Sequence, residues 1–126
     1  NKAMAVVYSG DAAYILDENE TMNYYVPKEG TNIWIDSMVI PANANNSELA
    51  NEWIRFMMSE DAMTRNTLEV GYTTVHKDVF DAMITGDYEG NVAYNVRMDY
   101  PLDEVFVYDE ALKIKTSELW VKVKAQ

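Results

Sequence analysis

The sequence predicts a single α/β domain, because short strand-like segments alternate with helical patterns along its length. The chain has 126 residues, which leaves room for one domain of ordinary size. Hydrophobic residues make up 48% and charged residues 25%, which is typical of a globular protein and excludes a disordered tail. No apolar run approaches the roughly 18 residues that a membrane-spanning helix requires.

The first third of the chain is predicted to hold three strands and one short helix. Residues 4–8 form an apolar run that fits a buried strand. Ser9 to Asp11 then offer a turn and an N-cap for a helix at residues 12–16. A second strand is expected at 22–26, where Pro27 and Gly30 end it. Residues 33–40 are rich in β-branched side chains and predict a third strand.

The rest of the chain is predicted to be mainly helical. Helices are expected at residues 47–58, 60–69, 76–84 and 108–124. Ser59 should cap the second of these, and Gly71 should end it in a left-handed conformation. Residues 86–101 lack periodicity and predict a loop. Leu112, Leu119 and Val123 are expected to face a core from the closing helix.

Composition excludes several kinds of chemistry. The net charge of −11 repels nucleic acid phosphates and is compatible with a cationic ligand, although acidic surfaces mostly serve solubility. The chain has no cysteine and one histidine, His76, for which we expect a loop or capping role. The glycines form neither a phosphate-binding loop nor a dinucleotide motif. We therefore predict no catalytic residues, no metal and no cofactor, although 21 acidic residues always allow some carboxylate pair.

The spacing of Trp34 and Asp36 suggests a binding site for a cation. In a strand, residues two apart point to the same face, so the indole and the carboxylate would lie side by side. A primary ammonium needs an anion, and the alkyl carbons beside it favour an aromatic wall. The spacing alone still favours a simpler interpretation, in which Trp34 is a core residue and Asp36 is an exposed acid.

Several motifs resemble one family, the spermidine/putrescine-binding proteins of bacterial ABC importers. These motifs are YSGDAAY at 8–14, VPKEG at 26–30, WIDSMVIPANA at 34–44, EWIRFM at 52–57 and VGYTT at 70–74. The resemblance covers nearly the whole chain and is weakest at 86–101. It implies a periplasmic-binding-protein-like fold of type II, with ligand held between two lobes. Family members are considerably longer, so the chain is expected to be a C-terminal fragment.

The resemblance also implies how the segments divide between the lobes. Residues 1–34 would belong to the second lobe, residues 35–82 to the first lobe, and residues 83–126 would return to the second. Trp34 and Asp36 match family positions that contact the polyamine. Tyr8 lies where the family commonly has a tryptophan wall. Phe106 falls at a position where the family has a polar contact, with Glu104 nearby, and this departure could alter the preference between putrescine and spermidine.

The function implied by the resemblance is polyamine binding for import, with no bond made or broken. The ligand would be spermidine or putrescine, and the partners would be ABC transporter permease subunits. The location would be extracytoplasmic, in the periplasm or at the outer face of the cell membrane as a lipoprotein or permease fusion. The rival predictions are another cationic small molecule, an enzyme that uses acidic residues, and an acidic protein-interaction module. The fragment itself is expected to self-associate, with exchange of the closing helix as one route.

Overall fold

A computed structural model describes residues 4–125, and within them the chain forms helices joined by loops with very little sheet. No helix in this range is long and apolar enough to cross a membrane. The elements follow in this order: α1 (Ser9–Glu18), β1 (Asn32–Ile33), α2 (Ser47–Met57), α3 (Glu60–Val70), α4 (Lys77–Ile84), β2 (Glu104–Val105) and α5 (Glu110–Lys124).

The helix boundaries follow local capping chemistry. The side chain of Asn46 accepts a hydrogen bond from the backbone N–H of Leu49 at 3.0 Å at the start of α2. Ser59 caps α3 and Gly71 ends it at φ 71°, so both predictions for this helix are confirmed. Helix α1 is longer than predicted, because Tyr8 rather than a residue of the following turn occupies its N-cap position.

His76 occupies the N-cap position of α4, in agreement with the predicted loop or capping role. Its side chain makes no capping hydrogen bond. Its backbone N–H donates to the hydroxyl of Thr74 at 3.2 Å, which fixes the approach of the chain to α4. Among the described residues its buried Nδ1 has no hydrogen-bond partner in the protein.

The core lies between α1, α4 and the loop that follows α4. Its buried members are Ala12, Ala13, Val79, Met83, Tyr88, Ala93 and Tyr94. The rings of Tyr88 and Tyr94 stack with centroids 4.1 Å apart and planes 4° from parallel. The small alanines of α1 let that helix approach closely, so the core is built around two stacked tyrosines rather than around a sheet.

A hydrogen-bond network satisfies the polar ends of these buried side chains. The Thr67 hydroxyl, 2% exposed, donates to the backbone carbonyl of Tyr72 at 2.5 Å and lies 2.9 Å from the Tyr94 hydroxyl. Because a threonine hydroxyl has one proton, the Tyr94 hydroxyl is the donor in the second bond. Thr73 donates to the Tyr94 carbonyl at 2.7 Å. The network therefore ties the end of α3 to the core.

The two strands form one short parallel pair. Asn32 lies opposite Glu104 and Ile33 lies opposite Val105. The Phe106 N–H donates to the Ile33 carbonyl at 2.7 Å, which extends the pairing by one bond. Helices separate these two strands in sequence, so the pair has the connectivity of an α/β unit.

An ion pair holds together the loops that precede the two strands. Asp103 accepts two hydrogen bonds from the Arg97 guanidinium and one from the Thr31 N–H at 2.9 Å. Its side chain is only 4% exposed. The hydrogen bonds from Arg97 and Thr31 lower the pKa of Asp103 below its ordinary value of 3.8, against the opposing effect of burial.

Acid should therefore weaken the fold through Asp103. The pKa of Asp103 is lowered in the folded protein and has its ordinary value in the unfolded chain. The ionised Asp103 therefore stabilises the fold fully above pH 3.8, and this stabilisation is lost as the pH falls through the pKa of the folded state. The free energy of unfolding should be measured at several pH values for the parent and for Asp103→Asn. The difference between the two proteins should become smaller as the pH falls below 3.8. Arg97 stays charged across this range, since its pKa is raised by the hydrogen bond to Asp103. A difference independent of pH would contradict the assignment.

Three strand predictions are wrong or too long. Residues 4–8 and 22–26 form no strand, and the strand predicted for 33–40 is limited to Asn32–Ile33. A strand requires a neighbouring edge for its backbone hydrogen bonds, and among the described residues only β2 provides one. The expected α/β class is therefore represented by a single parallel pair, and most of the secondary structure is helical.

The predicted core face of α5 is also wrong. Leu112, Leu119 and Val123 are 60%, 52% and 61% exposed. Other apolar residues of α5, such as Ile114 and Val121, are equally exposed, so the helix has no single apolar face. No other described helix or strand packs on α5. The helical spacing of Leu112, Leu119 and Val123 predicted an apolar face, but such a face is buried only when another element packs on it.

The predicted division into lobe segments stays a prediction. Residues 1–3, at the start of the segment 1–34, and residue 126, at the end of 83–126, lie outside the described residues. Helix α1, from the predicted second-lobe segment, packs on α3, from the predicted first-lobe segment. It also shares the core with α4, which crosses the predicted boundary between residues 82 and 83. The core thus contains residues from all three predicted segments.

Candidate ligand-binding site

Three aromatic side chains meet beside the N-terminus of α1, and we call them the aromatic cluster: Tyr8, Trp34 and Tyr72. The Tyr8 and Trp34 ring centroids are 4.9 Å apart with planes at 70°. The Trp34 and Tyr72 centroids are 6.2 Å apart with planes at 72°. Both pairs have the edge-to-face geometry that aromatic rings prefer. Tyr8 is 59% and Trp34 is 37% exposed, so the cluster is open to solvent.

Each ring of the aromatic cluster is held at the end of a secondary-structure element. Tyr8 is the N-cap residue of α1, and its carbonyl accepts from the Ala12 N–H at 2.9 Å. Trp34 directly follows β1, and Tyr72 directly follows the glycine that ends α3. A Cβ atom at Gly10 would lie 2.4 Å from the Tyr72 ring, so the close approach of α1 to this ring requires glycine.

The electrostatic environment of the aromatic cluster is negative. The pKa of Tyr72 is raised, first by burial and then by electrostatic interaction with Asp11, Tyr8 and Asp36. Both carboxylates therefore lie near enough to the Tyr72 hydroxyl to disfavour its ionisation. Neither Asp11 nor Asp36 forms a salt bridge with a lysine or arginine of residues 4–125. The arrangement favours a cationic guest over an anionic one.

Trp34 and Asp36 are brought to the same region, although not by the strand geometry that predicted it. Strand β1 ends at Ile33, so the alternation of a regular strand does not extend to Asp36. The half-open Trp34 contacts aromatic rings on two sides, and Asp36 is exposed nearby. The interpretation of Trp34 as a fully buried core residue is therefore wrong, because more than a third of its surface is accessible.

Glu104 and Phe106 lie at the strand pair that leads to the site. Glu104 pairs with Asn32, and the Phe106 N–H donates to the Ile33 carbonyl at 2.7 Å, immediately before Trp34. β2 ends at Val105, so strand alternation does not assign Phe106 to the face of Glu104. Phe106 is 66% exposed. A contact of these two residues with ligand stays a prediction.

Tyr72 and Asp11 belong to this site but were not selected from the sequence as ligand-binding residues. Both lie within motifs that carry the family resemblance, at 70–74 and 8–14. Tyr72 could have been selected from its position directly after the glycine that ends a helix, because side chains at the ends of such elements often lie close together. Asp11 lies in the first turn of α1, where an acid also stabilises the helix dipole, so its sequence position alone does not separate the two roles.

The sequence profile of a protein family, bacterial extracellular solute-binding protein, matches residues 1–95. The chain belongs to this family. It thus comes from a solute-binding protein rather than an enzyme, which confirms the resemblance and the expected absence of catalysis. The description of this solute-binding family as extracellular agrees with the expected extracytoplasmic location.

Curated relatives of this solute-binding protein include named polyamine-binding proteins. The chain is 35% identical to spermidine/putrescine-binding periplasmic protein 1 of Haemophilus influenzae over 68 residues, which are 54% of this chain and 19% of that protein. It is 32% identical to the Escherichia coli spermidine/putrescine-binding periplasmic protein over 71 residues, 56% of this chain and 20% of that one.

The putrescine-binding periplasmic protein SpuD of Pseudomonas aeruginosa is 33% identical over 73 residues, which are 53% of this chain and 20% of that protein. The matched stretch thus spans about one fifth of the length of each of these relatives. No solved structure matches this solute-binding protein.

Proposed function

We propose that the aromatic cluster, with Asp36 and Asp11, forms part of the polyamine site of a solute-binding protein that serves an ABC importer. The observation that carries this proposal is the meeting of Tyr8, Trp34 and Tyr72 next to carboxylates that have no basic partner among residues 4–125. The printed names of relatives support spermidine or putrescine as the ligand.

Polyamine chemistry matches this arrangement group by group. A polyamine carries ammonium groups separated by methylene chains. The carboxylate of Asp36 would accept a charge-assisted hydrogen bond from one ammonium, and Asp11 adds a second negative charge at the same face. Trp34 and Tyr8 would cover the methylene carbons and attract the cation through their rings. Phe106, whose N–H donates to the carbonyl of Ile33 just before Trp34, would extend the apolar wall, and Glu104 would offer a further carboxylate.

The proposed transport mechanism requires parts of the protein beyond this chain. In a type II, two-lobed binding protein, ligand would bind between lobes that close by hinge motion. The lobe segments 1–34, 35–82 and 83–126 and the permease subunits as partners belong to this proposal. The closed form would present the surface that the permease recognises. An anchor or signal would fix the location in the periplasm or at the outer face of the cell membrane.

A titration of the full-length protein tests the proposed ligand class. Spermidine and putrescine should release or absorb heat with saturable binding, whereas amino acids, sugars and anions should not. Saturable binding of a different cation in place of polyamines would favour the rival small-molecule function. Binding of none of these ligands would refute a polyamine site and would leave the acidic protein-interaction module as the better interpretation.

Trp34→Ala should weaken polyamine binding more than it weakens the fold. Loss of a cation–π wall costs roughly 0.5–2 kcal/mol of binding free energy. A fully buried tryptophan would instead cost about 3–5 kcal/mol of unfolding free energy, and we expect less because Trp34 is 37% exposed. A calorimetric titration and a melting curve on the same variant measure both quantities. Trp53→Ala, on α2 with 57% exposure, is the matched control and should leave affinity unchanged.

The isolated chain 1–126 should self-associate. Helix α5 exposes Leu112, Trp120 and Val121 by 60%, 58% and 67%, and α2 exposes Trp53 and other apolar residues. Apolar surface of this extent favours contact between copies. Light scattering at micromolar concentration should report a mass above 14.4 kDa. A monodisperse monomer would contradict this prediction, and exchange of α5 between copies is the route that we propose.

A further inference from the structure

Two loops that are distant in sequence are fastened together immediately before the candidate site, and we call this fastening the loop clamp. It consists of Arg97 and Asp103 from one loop and the turn at residues 27–31. Arg97 donates through Nε to Asp103 at 2.8 Å and through Nη2 to the Pro27 carbonyl at 2.9 Å. Asp103 accepts from the Thr31 N–H at 2.9 Å. These contacts span about 70 residues of sequence.

Further contacts make the loop clamp tight. The Tyr100 hydroxyl donates to the Lys28 carbonyl at 2.7 Å, and the Arg97 guanidinium lies 3.9 Å above the Tyr100 ring. Gly30 has φ 106°, and a Cβ there would lie 2.0 Å from the Leu102 carbonyl oxygen. Only glycine allows this approach, so the two loops are in backbone contact as well as side-chain contact.

The loop clamp differs from the other ion pairs of the described residues. Arg65 with Asp61 and Lys77 with Asp81 are pairs within one helix, and their side chains are at least half exposed. Such pairs contribute little to stability. The Asp103 side chain is 4% exposed and accepts hydrogen bonds from two different loops. It therefore connects two segments that do not belong to one helix. The arrangement fixes the relative position of two loops rather than supporting one helix.

Both clamped loops lead directly into the candidate site. Thr31 is followed by β1 and then by Trp34 and Asp36, while Asp103 is followed by β2 and then by Phe106. The Glu104 N–H donates to the Thr31 carbonyl at 3.0 Å, so strand pairing starts at the clamp itself. With only two paired residues in each strand, the sheet alone provides few bonds to hold this register.

We propose that Arg97 and Asp103 are positioning residues that set the geometry of Trp34 and Asp36 for the ligand. This inference rests on the proposed polyamine function. The physical reason is preorganisation: a site built on segments that are already fixed loses less freedom when ligand binds. Without the clamp, the strand pair would loosen, and part of the binding free energy would be spent on ordering Asp36.

The test uses five variants of the full-length protein: Asp103→Asn, Arg97→Lys, Asp36→Asn, the double variant with Asp103→Asn and Asp36→Asn together, and a control. Asp103→Asn removes the charge and keeps an oxygen for Thr31, so it should weaken spermidine affinity about tenfold. Arg97→Lys keeps the charge but loses the bidentate geometry, and it should weaken affinity in the same direction. It replaces Asp103→Asn if that variant does not fold. Asp61→Asn, from the exposed pair, is the matched control and should retain parental affinity.

Two readouts separate positioning from general stability. Hydrogen exchange without ligand should accelerate at residues 30–36 and 104–107 in Asp103→Asn but not at residues 47–57 of α2. In the Asp36→Asn background, the Asp103 substitution should change affinity clearly less than tenfold, because the part of its effect that acts through Asp36 is already lost and only the part that acts through Trp34 remains.

Parental affinity in a folded Asp103→Asn variant would overturn the inference, and so would a full tenfold loss in the Asp36→Asn background. If the parent itself binds neither spermidine nor putrescine, the proposed function fails, and the positioning role fails with it. If the parent binds and the clamp variants bind equally well, the positioning role alone is refuted.

Discussion

Replacing Asp36 by asparagine should weaken spermidine binding by the full-length protein about ten- to a hundredfold. Asparagine keeps the shape of the side chain and removes its charge. A hydrogen bond to a charged group is worth roughly 1.5–3 kcal/mol. No lysine or arginine among residues 4–125 forms a salt bridge with Asp36, so no internal cation competes with the ammonium for this carboxylate. Isothermal calorimetry measures the change directly.

The matched control for Asp36 is Asp78→Asn. Asp78 is exposed in the first turn of α4, away from the aromatic cluster. The same chemical change there should leave the affinity for spermidine unchanged, which separates a local contact from the general effect of lowering a net charge of −11. Equal affinity of the Asp36→Asn variant and the parent would remove Asp36 from the site.

Helices with chemical caps were predictable because the cap and the helix are close in sequence. Ser59 begins and Gly71 ends α3 as expected, and α2, capped by Asn46, lies within one residue of its predicted limits. Helix α4 also lies within one residue of its predicted limits, although its N-cap side chain makes no capping hydrogen bond. Strands depend on partners that are far away in sequence. The pairing of Ile33 with Val105 crosses about 70 residues, and no local pattern identifies which apolar run finds such a partner.

The same distinction between local and distant contacts applies to the candidate site. Trp34 and Asp36 could be selected from the sequence because they lie in one short motif that matches ligand-contacting positions of the resembled family, whereas their spacing alone favoured a core tryptophan and an exposed acid. Tyr72 could not be placed beside them, since its position depends on the close approach of Gly10 to its ring. The exposure of α5 was likewise unpredictable, because a helical pattern shows where apolar residues lie but not whether another element covers them.

The largest loss of stability should follow from Tyr94→Ala. The Tyr94 side chain is fully buried at 0% exposure and stacks on Tyr88. It belongs to the cluster of buried residues beside α1 and α4. Truncation of a buried aromatic side chain costs about 3–5 kcal/mol, since it removes apolar contacts and leaves a cavity. It also removes the hydroxyl that donates to Thr67 and so disturbs the network that ties the end of α3, next to Tyr72, to the core.

Two further variants separate the ring of Tyr94 from its hydroxyl. Tyr94→Phe keeps the stacked ring and removes one hydrogen bond, so it should cost only about 0.5–1.5 kcal/mol. Tyr25→Ala makes the same truncation at a tyrosine that is 74% exposed, and it should lie within about 0.5 kcal/mol of the parent. Denaturant unfolding of the full-length protein ranks the three variants. If Tyr94→Ala is as stable as Tyr25→Ala, Tyr94 is not at the centre of the core. If instead Tyr94→Phe is as damaging as Tyr94→Ala, the hydrogen bond to Thr67, rather than the packing of the ring, holds α3 to the core.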